Sequence, residues 1–509
     1  MQYLVSSDEM KAFDKYTIES VGIPALVLME RAACATTEEI CRRFPAGAAG
    51  ADCAGRRVLV LAGCGNNGGD GLAIGRILRE HGFAVEYVLA GPREKCSRET
   101  LTQLAILEHM GVHVSGTLPE GSFDLIVDSL FGVGLSRAVS GFYGELIRYI
   151  NAASAFVVSA DIPSGIHADT GAVMGEAVRA DLTVTYGCIK RGLVLYPGAS
   201  HTGELICRKI GIVPAWKPSA YTFEPSDLTK LPFRRPDGNK GTFGKVLVVA
   251  GNERMYGACQ FAALGAYRMG AGLVRVLTAP ENRNILMQAV PEAIVDICGE
   301  EFSKPLFAEA LAWADCVVIG PGLGTDGRAC RIVEYVWEHA QVPLVVDADG
   351  LNILAAHPDL LEGKRPKGER MVYFTPHMGE FSRLAKKSIK CCKEEMVSSV
   401  MSYAQEQRVI LVCKDARTVA ADQTGAVYIN TSGDNGMATG GSGDVLAGIL
   451  AGLLAQGMHG MEAAAMAVYL HGLAGNRASA RKSAYAVMAG DLLEALPTIL
   501  TEGGDGRWV

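Results

Sequence analysis

The feature that most constrains this chain is a recurrence of short apolar, β-branched runs between longer helical patterns. In the first half these runs are Val58–Ala62, Ala84–Leu89, Leu125–Asp128, Ala155–Ala160 and Leu182–Tyr186. In the second half they are Lys245–Ala250, Leu273–Leu277, Cys316–Ile319, Leu344–Val346, Met371–Phe374 and Val409–Val412. Several are continuously apolar instead of alternating, which suits strands covered by helices on both faces. Strand–helix alternation of this kind predicts parallel sheets with right-handed crossovers, an α/β class built of doubly wound domains. At 509 residues the chain is too long for one ordinary core. The stretch Pro214–Pro236 holds five prolines among polar residues, without sustained periodicity, so a break is expected there. The expected division is a first domain over 1–215, a linker over 216–236 and a second domain over 237–509.

Composition removes several classes. A net charge of −7 argues against a general nucleic-acid binder. The opening residues lack a basic segment leading into an apolar one, so no secretory signal is read. The most apolar helical stretch, Val445–Ala455, is too short to span a bilayer and contains Gly448 and Gly452. The 14 cysteines are scattered, with no C-x-x-C pair, and read as mostly buried small hydrophobes in a reducing, cytoplasmic setting.

The first constellation follows the run Val58–Ala62. There the sequence reads Gly63-Cys64-Gly65-Asn66-Asn67-Gly68-Gly69-Asp70 and continues into a helical pattern. A strand, a glycine-rich turn and a helix start together can make an anion site, and Gly63-x-Gly65-x-x-Gly68 fits a dinucleotide fingerprint. Any tight strand-to-helix turn also selects glycine, so both readings stand. Two later runs end in acidic residues at the same sheet edge: Asp128-Ser129-Leu130-Phe131-Gly132 and Asp161-Ile162-Pro163-Ser164-Gly165. Each aspartate alone reads as a helix N-cap. Their convergence on one crevice at the carboxyl ends of parallel strands points to a ligand site.

NNGGDG, DSLFGVG and DIPSG, in this order, resemble the NAD(P)H-hydrate epimerase family over roughly Met1 to Val213. The resemblance implies a Rossmann-like domain in which Asn66, Asn67, Gly68, Gly69 and Asp70 line the hydrated nucleotide. It implies the same of Gly132, Val133, Gly134, Leu135, Ser136, Arg137 and Ala138. It further implies a potassium ion held by Asn67, Asp128 and Ser164, whose oxygens suit a hard cation. Asp161 is implied as the residue that contacts substrate and transfers the proton. The segment Leu28–Ala33 departs from the family's LMENAG at Arg31.

The strongest signal in the second half is Asn435-Gly436-Met437-Ala438-Thr439-Gly440-Gly441-Ser442-Gly443-Asp444. Glycines here open an apolar helix with a carboxylate beside it, a geometry able to receive a phosphoryl group. A glycine-rich helix entry with Asp444 as N-cap is the plainer alternative. The Gly-Ser-Gly-Asp entry resembles the ribokinase-like fold, and further loops follow other apolar runs. They are Gly320–Gly324, Asp347–Asn352, Thr375-Pro376-His377-Met378-Gly379-Glu380 and Lys414–Thr418.

Together these loops are similar to the ADP-dependent NAD(P)H-hydrate dehydratase family over about Phe243 to Leu496. The resemblance implies that Lys414, Asp415, Ala416, Arg417, Thr418 and Gly443 hold the nucleotide. Ala258, Gly322, His377 and Asp444 would contact the hydrate, with Asp444 as catalytic base. Magnesium is expected with ADP, although no dedicated site is visible. Met378 and Asn435 depart from prolines usual in the family.

The implied activity is repair of damaged NAD(P)H. It comprises epimerisation of R- and S-NAD(P)HX, then dehydration of the S form to NAD(P)H at the expense of ADP, with AMP and phosphate released. The expected partners are NADHX, NADPHX and ADP, with no nucleic acid and no membrane, in a homo-oligomer. The alternative is a ribokinase-like small-molecule kinase carrying a non-catalytic N-terminal binding module. A dehydrogenase would rest on the Gly63–Gly68 fingerprint alone.

Overall fold

A computed structural model describes residues 1–44, 55–299, 301–363 and 370–503. The chain divides into two compact units, Tyr3–Ser219 and Ala220–Val509 with Met1–Gln2.

The first unit holds a seven-stranded sheet. Its strands are β1 (Arg57–Ala62), β2 (Ala84–Leu89), β3 (Val114–Ser115), β4 (Leu125–Ser129), β5 (Phe156–Ala160), β6 (Leu182–Tyr186) and β7 (Glu204–Arg208). They lie in the order β3-β2-β1-β4-β5-β6-β7, all parallel. Side-chain alternation along β1 shows why the run is continuously apolar. Val58, Val60 and Ala62 enter one core cluster, with residues of the helices Ala25–Arg43, Asn66–Glu80 and Arg98–His109. Leu59 and Leu61 enter another, with Leu146, Ile147 and Ile150 of the helix Phe142–Ala152. All five are fully buried, each worth about 1.5–3 kcal/mol for the larger side chains. Chain order reverses between β1 and β4, which opens a crevice at the carboxyl edge.

The second unit carries β8 (Ala220–Thr222), β9 (Lys245–Val249), β10 (Leu273–Thr278), β11 (Ile294–Ile297), β12 (Cys316–Ile319), β13 (Leu344–Val346), β14 (Val372–Phe374), β15 (Ile410–Cys413), β16 (Val419–Ala421) and β17 (Val427–Ile429). Their order is β11-β10-β9-β12-β13-β14-β15-β16-β17-β8. Pairing is parallel except where β16 runs antiparallel to β15 and β17. The apolar helix Ser442–Ala455 packs on the helix Tyr256–Arg268 so closely that a Cβ on Gly448 would stand 2.2 Å from the Ala262 carbonyl oxygen. Its glycines therefore serve helix-to-helix contact. Among the described residues no helix is long and apolar enough to cross a membrane.

Two expectations need correction. The stretch 216–236 is not a bare linker: β8 pairs in parallel with β17, and Phe223 and Leu228 sit in the core. Its prolines misled because Pro225 opens a 3-10 turn, Pro225–Lys230, where a missing N–H costs nothing. Nor are the cysteines mostly buried. Of the thirteen free ones among the described residues, Cys259, Cys298, Cys316, Cys392 and Cys413 are buried, while the rest reach the surface in part or, for Cys34, openly.

Candidate active sites

In the first unit the crevice is a cavity of about 770 Å³. Its wall includes Asn66, Asn67, Asp70, Asp161 and all of Gly132–Ala138. Gly68 and Gly69, expected beside the ligand, lie off this wall. A Cβ on Gly68 would sit 1.8 Å from the Gly63 carbonyl oxygen, and one on Gly69 would sit 2.5 Å from Met29 Cε. Those two glycines let the helix Asn66–Glu80 turn back onto its own loop and onto the neighbouring helix.

Asp161 follows β5 with φ of 68°, a left-handed conformation that a non-glycine residue adopts at a cost of about 1–3 kcal/mol. The Asp161 N–H donates to Val184 O at 2.9 Å and anchors the turn on β6. Three donors converge on its Oδ1: Lys190 Nζ, Thr185 Oγ1 at 3.1 Å and the Tyr186 N–H at 3.1 Å. Lys190 is 1% exposed. Its ammonium also donates to Thr185 Oγ1 and Tyr186 O. Two further carboxyls line the same cavity. Burial pushes Asp14 up to about 6, with Lys190 opposing and Asp161 adding. Asp70 is pushed well above the usual range by burial, then by the charges of Asp161 and Asp14.

The expected cation set lies alongside. Asp128 is fully buried at the end of β4 and accepts from Ser159 Oγ, the Ser164 N–H, Ser164 Oγ and the Leu130 N–H. Burial still holds its carboxyl above the ordinary range. Asn67 Nδ2 donates to Phe131 O at 2.9 Å, but its buried Oδ1 has no hydrogen-bond partner. An orphaned amide oxygen, a hydroxyl and a carboxylate form a hard-oxygen set that fits a monovalent cation.

In the second unit Gly441 caps the helix Ser442–Ala455 with φ of 90°, which places Asp444 in the first turn. Asp444 is pushed up to about 7, by burial first and by Asp347 next, with Lys414 opposing. Lys414 Nζ donates to Asp347 Oδ1 at 2.8 Å, and Asp347 is 1% exposed. Burial works against the Lys414 charge, but Asp347 and Glu380 outweigh it, so its pKa is raised. A Cβ on Gly443 would lie 2.9 Å from Lys414 Nζ, so glycine there lets the ammonium approach the helix start. Of the other nucleotide residues expected, Asp415 pairs with Lys393 and Arg417 donates to Thr431 O. The Thr418 carbonyl receives the Asn430 N–H, and Ala416 is exposed in the same β15–β16 connection.

His377 is the N-cap of the helix Met378–Ala385. Its Nδ1 accepts the Gly379 N–H at 2.9 Å, and the Glu380 carboxylate accepts the His377 N–H at 2.8 Å. That bond assigns the proton to Nε2. Partial burial and the Lys414 charge lower the pKa of the ring. Gly322, with φ of 58°, abuts Ala258: an added Cβ would stand 2.9 Å from that of Ala258. The charge of Asp444 is felt at Cys259, the next residue. Met378 is buried in the first turn of its helix, and Asn435 starts a short turn capped by Asp434. Arg31 is exposed, its guanidinium reaching over Gly211.

Sequence reasoning assigned no site role to Lys190, Asp14, Asp347 or Glu380. Asp347 had a signal, an aspartate directly after a strand, as at Asp128. Lys190 had none, because a lone lysine in an apolar segment gives no sign of its partner 29 residues away.

Comparison with known proteins finds relatives over nearly the whole chain. Residues 246–498 match a family model described as NAD(P)H-hydrate dehydratase, and residues 25–192 match one described as YjeF-related protein N-terminus. The bifunctional NAD(P)H-hydrate repair enzyme Nnr of Moorella thermoacetica is 38% identical, over 98% of this chain and 96% of its own length. Its counterpart in Thermofilum pendens is 36% identical, over 97% and 95%. Among solved structures, a ribokinase-like superfamily protein from Enterococcus faecalis is 31% identical. That match covers 57% of this chain and 98% of that one, with a TM-score of 0.51. The chain belongs to the family of bifunctional NAD(P)H-hydrate repair enzymes.

Proposed function

We propose that this chain repairs hydrated NAD(P)H in two steps, interconverting R- and S-NAD(P)HX in the first unit and dehydrating the S form with ADP in the second. The observation that carries the reading is Asp444. It is a half-buried carboxylate on the first turn of a glycine-opened helix, with its pKa raised to about 7 beside the Lys414–Asp347 pair. A carboxylate so destabilised is a stronger base than an ordinary aspartate and works near neutral pH.

In the second unit Asp444 takes the proton of the hydrate's hydroxyl as that oxygen attacks the terminal phosphorus of ADP. The O–P bond forms and AMP leaves; phosphate then departs from carbon far more readily than hydroxide would, and the neighbouring carbon loses a proton as the double bond of NAD(P)H forms. Lys414 supplies positive charge where the phosphoryl group moves, and the helix start offers N–H groups to its oxygens. Magnesium would neutralise the phosphates when bound. Among the described residues no cluster of three His, Cys, Asp or Glu side chains forms a site for it, so it would arrive with the nucleotide.

In the first unit Asp161 takes the hydroxyl proton as the ring's carbon–nitrogen bond at that centre opens to an aldehyde, and returns it when the ring closes on the other face. Potassium, held by Asn67 Oδ1 with Ser164 and Asp128, would fix the phosphate-side loop Phe131–Ala138 when bound. The fusion favours repair over a small-molecule kinase, because a kinase has no use for the first cavity. The deciding experiment incubates the chain with mixed R and S hydrates plus ADP and follows NAD(P)H absorbance. Full recovery is expected. Recovery of the S portion alone would refute the epimerase half, and a stable phosphorylated product would favour the kinase.

A further inference from the structure

We infer that Lys190 is a positioning residue of the epimerisation site, holding one oxygen of Asp161 so that the other faces the substrate cavity as the proton-transfer atom. The inference rests on the proposed role of Asp161.

The geometry is asymmetric. Lys190, Thr185 and the Tyr186 N–H all donate to Oδ1. Among the described residues no hydrogen bond reaches Oδ2, and Oδ2 is not one of the buried polar atoms that lack a partner. Oδ2 is therefore open to the cavity that Asp161 lines. A carboxylate with one oxygen tied by three donors cannot rotate, so the free oxygen is presented in one orientation.

Lys190 is itself fixed. Its strand residues Ile189–Lys190 pair with Leu4 and Val5, and its ammonium donates to Tyr186 O at 3.0 Å. A buried lysine is expensive unless its charge is matched, and here carboxyls face it from several elements. Asp14 comes from the helix Ser7–Lys15, Asp70 from the helix Asn66–Glu80 and Asp161 from the end of β5. The thiols Cys188 and Cys207 also feel its charge, as a force that favours their ionised form. Lys190 sets its positive charge directly against Asp161 in a cavity already lined by two other carboxyls. Burial, against the pull of Lys190, leaves Asp14 protonated near neutral pH more often than an ordinary aspartate. Burial also holds Asp70 toward its protonated form, so a proton donor stands on the same cavity wall as Asp161.

The test uses the full chain with purified R-NAD(P)HX, comparing wild type with Lys190→Gln and Lys190→Arg. Glutamine keeps a donor and loses the charge, whereas arginine keeps the charge. We expect Lys190→Gln to lower kcat for R-to-S conversion by about 10²-fold with a smaller change in KM. Its acid limb should move to higher pH by about one to three pH units, because loss of the cation favours the protonated carboxyl. Lys190→Arg should recover part of both. The shift should persist in an Asp14→Asn background, because the limb belongs to Asp161. Wild-type kcat and an unmoved limb in Lys190→Gln would overturn the inference. So would a limb shift that vanishes with Asp14→Asn, or a loss confined to KM. If Lys190→Gln fails to fold, the limb of Lys190→Arg decides, and a loss of rate with no recovery of the limb counts against us. Asp161→Asn tests the underlying reading separately: retained epimerisation there would remove the role of Asp161, whatever Lys190 does.

Discussion

Replacing Asp444 with asparagine should abolish dehydration and, at alkaline pH, stabilise the second unit. The folded protein holds this carboxyl at about 7 against an ordinary 3.8, chiefly through burial and the nearby Asp347. Between those two values the native state binds a proton that the unfolded chain has released, so stability falls as pH rises through the window. Above pH 7 the full cost is present, roughly 4 kcal/mol at 1.36 kcal/mol per pH unit. At pH 5 most of it is absent, since the cost has built up over only the first part of that window, and the amount present is about 1.6 kcal/mol. Asparagine has nearly the same shape and no charge to desolvate. Denaturant unfolding of wild type and Asp444→Asn, followed at pH 5 and pH 8, checks the difference. We expect the variant to gain about 2–4 kcal/mol at pH 8, less at pH 5, and to lose dehydration by about 10²–10⁴-fold. A variant equally stable at both pH values, or destabilised at pH 8, would refute the claim that the fold strains this carboxylate for catalysis.

Three further outcomes follow from the same geometry. Lys414→Met removes the charge that opposes the rise of Asp444, so the acid limb of the dehydration rate should move to higher pH, read from the pH profile of NAD(P)H recovery. Asn67→Ala removes the orphaned amide oxygen, so potassium titrations of R-to-S conversion should need about tenfold more salt or lose their dependence. Gly68→Ala places a methyl 1.8 Å from the Gly63 carbonyl oxygen, and thermal unfolding should show a loss of about 3 kcal/mol or more in the first unit.

How far the fold was readable depended on burial. Central strands such as β1, β9 and β12 are covered on both faces, so their runs are continuously apolar and readable as strands. The edge strands β7 and β11 escaped notice because half of each faces solvent and carries Glu204, Arg208 or Asp296. Strands β8, β16 and β17 are three residues long and went unread, although the equally short β13 and β14 were read from the wholly apolar runs that carry them.

By itself the sequence determined two parallel sheets, the edges at which their loops gather, and the glycine-opened turns bearing Asn66–Asp70 and Gly440–Asp444. Local chemistry suffices for that, since a strand's burial and a helix's start are written in contiguous residues. Only the tertiary structure decided the electrostatics. Lys190 meets Asp161, and Lys414 meets Asp347, across 29 and 67 positions, and the charges that act on Asp444, those of Asp347, Lys414 and Glu380, come from segments after three different strands. A charge's effect depends on distance and on the water removed around it, and both are properties of packing, not of order along the chain.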